Sequence, residues 1–93
     1  MIYKIDFNKD ALKTIAKYKK SNPNRYKKLC KLLDDIAEHP RTGIGHPEPL
    51  IGGNNITYSR HIAGKDRIIY DIYDEFVSVY VLELEGHYDD NST

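Results

Sequence analysis

Three runs in the second half of the chain constrain its fold most. "ITYSRHI", "RIIYDIY" and "FVSVYVLEL" alternate apolar and polar residues, the two-residue period of a half-buried strand. Only "AGKD" separates the first two, and Asp74 with Glu75 separates the next two. Links that short join antiparallel neighbours. A sheet built this way needs a partner layer over its apolar face, and the upstream sequence supplies one. In "KDALKTIAKYKK", Leu12, Ile15 and Ala16 recur at helical spacing, and Asn8 precedes them as an N-cap. "SNPN" interrupts the pattern; Ser21 or Asn22 can cap the next helix, and Pro23 suits its first turn. In "RYKKLCKLLDDIAEHP", Tyr26, Leu29, Leu33, Ile36 and Ala37 form one stripe that ends before Pro40. The four-residue link makes the two helices an antiparallel hairpin. "MIYKIDF" adds a short strand in front. The expected order is β-α-α-β-β-β: an α+β domain, with the helical hairpin packed on one face of an antiparallel sheet. The other sheet face stays open. In "RIIYDIY", Ile68, Tyr70 and Ile72 share one side and Arg67, Ile69 and Asp71 the other. With the first set against the helices, Arg67 points to the open face.

Ninety-three residues suit one domain. No apolar run approaches the ~18 residues of a membrane helix, and "MIYKIDFNKD" does not read as a signal peptide. A single cysteine excludes an internal disulfide, so a reducing cytoplasm is the expected setting. Cys30, among Leu29, Leu32 and Leu33, is expected in the core. The net charge is zero, but it is divided unevenly. Residues 1–31 hold ten Lys or Arg against two acids, a net +8, and the remainder carries −8. Such asymmetry suggests a polyanion-facing surface on the helical half. Lys13, Lys17 and Lys20 are candidates for it. Some of the eight tyrosines could stack on bases.

The candidate chemistry lies in the second half. "RTGIGHPEPLIGGNN" is a long loop, and long structured loops in small domains are more often functional than not. Pro47 and Pro49 bracket Glu48 and would fix where its carboxylate points. His46 reads as an ordinary loop residue. Arg67 opens a strand, while His87 and Tyr88 follow Gly86 at the end of the last one. A carboxylate and a histidine can act as base and acid in two proton transfers. An arginine can hold a pentavalent phosphate by paired hydrogen bonds. RNA carries its own nucleophile, the 2′-hydroxyl, so neither a metal nor a cofactor is required. Spacing alone leaves this one assignment among several.

The motifs taken in order are more specific. "GIGHPEPL", "YSRHI", "KDRIIYDI" and a final "HY" together resemble the YoeB/RelE-like toxins of bacterial toxin–antitoxin systems, the YoeB (Txe) branch above all. The resemblance runs from Ile2 to Tyr88, which makes residues 1–88 one RelE-like domain and residues 89–93 a short acidic, polar tail. It implies the fold order above and a ribosome-dependent mRNA endonuclease silenced by a cognate antitoxin. Glu48 matches the family's general base, Arg67 its phosphate-stabilising arginine, His87 its general acid and Tyr88 its terminal aromatic. Arg60 matches the first arginine of the S-R-R-I strand and is expected to be partly structural. His61 stands where the second arginine is usual, and Ile51 where a lysine often follows P-E-x-L. A protonated His61 can still supply positive charge.

The resulting expectation is an mRNA interferase working in the ribosomal A site. Its partners would be mRNA, ribosomal RNA, an antitoxin of YefM/Phd-like or similar type, and a second copy of itself, with no membrane. Arg60, His61, Tyr88, Lys13, Lys17 and Lys20 would be auxiliary RNA contacts. The alternatives are a non-catalytic ParE-like toxin that binds DNA gyrase and an inactive antitoxin-binding relative. The coincidence of Glu48, Arg67 and His87 favours the nuclease.

Overall fold

The structure, a computed structural model, describes residues 2–50 and 56–84. The elements run β1 (Lys4–Phe7), α1 (Lys9–Ser21), α2 (Pro23–Glu38), β2 (Glu48–Pro49), β3 (Thr57–Ala63), β4 (Asp66–Tyr73) and β5 (Ser78–Glu83). They form a five-stranded sheet in the order β1-β5-β4-β3-β2. The sequence order holds, with one addition: two residues of the long loop form β2, paired antiparallel with the edge of β3. The β3–β4 and β4–β5 pairs are antiparallel, as their short links require. β1 pairs parallel with β5 and makes the sheet mixed. That pairing joins the two ends of the domain, and no local pattern announces it.

Local chemistry explains the helices. The Asn8 side chain accepts from the Asp10 N–H at 2.7 Å and starts α1. Asn22 ends α1 through its own N–H to the Tyr18 carbonyl and begins α2 by accepting from the Arg25 N–H. The hairpin link is therefore one residue, with Pro23 in the first turn of α2.

The buried face of α1 differs from the expected stripe. Ala11 and Tyr18 are buried with Ile15 packed beside them, whereas Leu12 is 52% exposed and Ala16 is exposed. The helix is rotated so that Tyr18 enters the core, where its hydroxyl donates to Asp66 Oδ2 at 2.9 Å. Arg25 also holds Asp66, which ties both helices to the β3–β4 turn. On α2, Leu29, Leu32 and Ile36 are buried. Cys30 is only half-buried, against the expectation of a core position, because it lies one residue outside that 29-32-36 face. Ile62, Ile68, Tyr70, Ile72, Val79, Val81 and Leu84 complete the core from the sheet. Among the described residues no helix is long and apolar enough to cross a membrane.

A second clamp closes the far end of the sheet. Arg41 donates two hydrogen bonds to Asp74, at 3.1 and 2.7 Å, and Tyr3 donates a third at 2.6 Å. Chiefly through Arg41, then Tyr3, the Asp74 carboxyl is held down at about 2. A depressed folded pKa contributes stability above the unfolded value, and that stability fades as pH falls through the folded one. The difference in melting temperature between the wild type and Asp74→Asn is expected to be present at neutral pH. It should shrink between about pH 4 and pH 2. A difference that stays constant down to pH 2 would show that the carboxylate's charge plays no part in the clamp.

Candidate functional site

The site begins with Arg60. Its position in β3 directs it inward, between the sheet and α2, with no exposed surface. Nε donates to the Tyr70 hydroxyl at 2.9 Å. One terminal nitrogen meets Asp35 Oδ2 at 2.5 Å and the Ile44 carbonyl at 3.0 Å. The other meets the Thr42 carbonyl at 2.8 Å and the His39 carbonyl. Those five bonds match the five N–H groups of a guanidinium. Tyr70 in turn donates to the Pro40 carbonyl at 2.8 Å, and burial pushes its phenol up. One arginine and one tyrosine thus gather carbonyls from residues 39–44 and fold the loop onto the domain. Arg60 is therefore no auxiliary RNA contact: every donor is engaged and none reaches solvent.

Two glycines let the loop come this close. Gly43 has φ +116°, and a Cβ there would lie 1.9 Å from Asp35 Oδ2. Gly45 has φ +80°, and a Cβ would lie 2.7 Å from Leu32 Cδ2. Both need a left-handed backbone as well as the space. The Gly45 carbonyl then accepts from the His61 N–H at 2.7 Å, which attaches the loop to the edge of β3. Three residues later Glu48 pairs with Ser59.

Register now places the candidates. Glu48 pairs with Ser59, Ser59 with Ile69, and Ile69 with Glu83. His61 pairs directly with Arg67. Paired residues share a face, and Ile68, Tyr70 and Ile72 face the helices. Glu48, His61 and Arg67 therefore share the opposite, open face, and all three are exposed. Glu48 and Arg67 stand two strands apart, roughly 10 Å across the sheet, and one step of two residues along it. A substrate group lying between them would be within reach of both side chains.

Charge varies along this face. At one end, Thr57 donates to Asp71 at 2.5 Å and Tyr73 donates to the same carboxylate at 3.2 Å. Asp71, more than any other cause, raises the Tyr73 pKa. His61 and Arg67 lie at the other end, so an anion is drawn there rather than to Asp71. Among the described residues no three His, Cys, Asp or Glu side chains assemble as a metal-ion site.

Not every candidate converges. Lys13, Lys17 and Lys20 are exposed on α1, in the helical layer behind the sheet. His87, Tyr88 and Ile51 lie outside the described residues. Sequence reasoning missed Asp35, the half-buried partner of Arg60. The signal was present: at the observed 29-32-36 spacing, residue 35 borders the buried face. It also passed over Lys27, Lys28 and Lys31 as a group.

A five-stranded sheet with a helical hairpin on one face is the fold of the RelE-type toxins. The comparisons make the branch specific. The sequence pattern of the YoeB-like toxins of bacterial type II toxin–antitoxin systems matches residues 7–88, and the chain belongs to that family. Toxin YoeB of Streptomyces coelicolor is 28% identical over 85 residues, covering 91% of this chain and 99% of that one. Toxin RelK of Mycobacterium tuberculosis is 29% identical over 84 residues, covering 90% and 96%. The YoeB dimer of Staphylococcus aureus superposes with a TM-score of 0.82 at 26% identity, over 95% of this chain and 100% of that one. The toxin in the heterotetrameric YoeB–YefM complex from the same organism gives 0.78 at 26% identity and the same coverage. The protein is thus the toxin of a type II toxin–antitoxin system.

Proposed function

We propose that this toxin is an endoribonuclease that cuts mRNA on the ribosome, in the A site. The observation that carries the reading is the register that puts Glu48 and Arg67, both exposed, on the open face of one sheet. Glu48 takes the proton of the 2′-hydroxyl. The 2′-oxygen attacks the adjacent phosphorus, and the bond from phosphorus to the 5′-oxygen breaks. Arg67 neutralises the pentavalent phosphate by paired hydrogen bonds. His87 gives its proton to the departing 5′-oxygen, leaving a 2′,3′-cyclic phosphate and a 5′-hydroxyl. His87 comes three positions after Leu84 in the sequence, outside the described residues. Tyr88 would stack on a base beside it.

Ribosomal docking would use the basic helical layer. An antitoxin partner and self-association follow by analogy with the Staphylococcus YoeB–YefM complex and YoeB dimer, and a cytoplasmic setting follows from the target. The test is primer extension on one mRNA, translated and naked. Cuts confined to translated message are expected; cuts in both would remove the ribosome from the mechanism, and cuts in neither would remove the endoribonuclease reading.

The lysines of α1 offer a separate prediction. Reversing Lys13, Lys17 and Lys20 to glutamate should weaken ribosome binding at low salt, measured by co-sedimentation, and less so at high salt, where wild-type binding is already screened. Unchanged low-salt binding would make these lysines a solvated face only.

A further inference from the structure

Beside the open face, a groove of about 680 Å³ runs between α2 and the loop. Lys27, Lys28 and Lys31 line its helical wall. All three are exposed, and no acid pairs with them among the described residues. Ile44, 49% exposed, supplies apolar surface above the buried Leu32, and His46 and His61 lie along the loop and β3 side. Among the described residues no carboxylate lines the groove.

His61 connects this groove to the open face. It lines the groove and is also the direct cross-strand partner of Arg67. A strand of RNA held at Arg67 therefore needs only to cross the edge of β3 at His61 to meet the lysines. We propose that the groove is a nucleotide subsite for the RNA strand that the open face cuts, holding backbone phosphates on Lys27, Lys28 and Lys31 and a base against Ile44. The proposal rests on the endoribonuclease reading. Positive groove walls that track the backbone, joined to surface that covers a base face, are the general means of holding single strands. Lys27 and Lys31 lie one helical turn apart, about 6 Å, which lets them hold successive phosphates. The volume is within the ~300–1,000 Å³ of small-molecule sites. Continuity with Arg67, the proposed phosphate-holding residue, favours RNA over an acidic peptide.

The probe is a short single-stranded RNA with every 2′-hydroxyl methylated, so that binding is read without cleavage. Its affinity is measured by fluorescence anisotropy across a salt series. Lys28→Ala with Lys31→Ala should lower affinity about tenfold at low salt. It should also reduce the slope of log affinity against log salt by about 1.4, the release expected for two phosphate contacts on a single strand. Ile44→Ser should lower affinity and leave that slope unchanged. Lys9→Ala with Lys19→Ala removes the same charge from α1 and should cost much less. An equal loss from the α1 pair would reduce the effect to net charge and overturn the subsite. Competition by poly-glutamate of matching charge, with the same dependence on Lys28, Lys31 and Ile44, would reassign the groove to an acidic peptide. Unweakened binding by the groove variants, beside a wild type that cleaves translated mRNA, removes the subsite and leaves the endoribonuclease reading standing. Groove-dependent binding by a wild type that cuts no mRNA removes that reading alone.

Discussion

Replacing Glu48 by glutamine is expected to slow cleavage of ribosome-bound mRNA by about 10²- to 10⁴-fold, the usual worth of one general base. The substitution keeps the shape and removes the basicity. Glu48 is exposed, with Pro47 and Pro49 on either side and its backbone paired to Ser59, so folding should be unaffected. Arg67→Ala should be comparably damaging, through lost charge stabilisation of the phosphate rather than lost proton transfer. The two losses can be told apart. Glu48→Gln should flatten the acid-side rise of the pH–rate profile, which a general base governs, whereas Arg67→Ala should lower the profile and leave its shape. Single-turnover cleavage on programmed ribosomes, with circular dichroism as the folding control, reads both. Full activity in Glu48→Gln would move the base elsewhere on the open face, with Glu83 the nearest carboxylate in the register row.

Arg60→Met should have the largest effect on stability. It leaves the Asp35 carboxylate without its cation and the His39, Thr42 and Ile44 carbonyls without their donor. Breaking a fully buried pair from one side costs about 3–5 kcal/mol; Asp35 keeps 21% of its side chain exposed, so the low end of that range applies, still a large part of the roughly 5–15 kcal/mol that holds a domain together. The double variant Arg60→Met with Asp35→Leu should recover part of that loss, because no uncompensated charge remains. Arg60→Lys should fall in between, since three donors cannot replace a fork of five. Urea denaturation checks all three. If the double variant is as unstable as the single, the loop carbonyls and not Asp35 dominate the cost. A wild-type midpoint for Arg60→Met would mean that the loop stays folded without the guanidinium.

The site was legible to the extent that its chemistry is marked by local sequence. Glu48 is bracketed by prolines and Arg67 begins an alternating strand, and the structure puts both on the open face. The inward place of Arg60 was less plain. The alternation of "ITYSRHI" puts Arg60 on the face of Ile56, Tyr58 and Ile62 and His61 on that of Thr57 and Ser59, but nothing in the strand shows the buried partners that an inward guanidinium needs. Pairing with β4 decides it, since Arg60 opposes the buried Ile68 and His61 opposes the exposed Arg67. A shift of one residue would exchange their roles. The rotation of α1 has a similar origin. Leu12, Ile15 and Ala16 satisfy a helical period, and so do Ala11, Ile15 and Tyr18. The hydrogen bond from Tyr18 to Asp66 ties the second set inward.

By itself the sequence determined the two helices and their caps, the three C-terminal strands, and which side of β4 enters the core. These follow from periods of 3.6 and 2 and from the side chains of Asn8, Asn22 and Pro23, all of which act within a few residues. Tertiary structure alone decided the parallel pairing of β1 with β5, the capture of the loop by Arg60, and the basic groove between α2 and that loop. Each joins segments far apart in the chain. The partner is chosen by register, close approach at Gly43 and Gly45, and the need to pair every buried donor, none of which is encoded by periodicity in either segment.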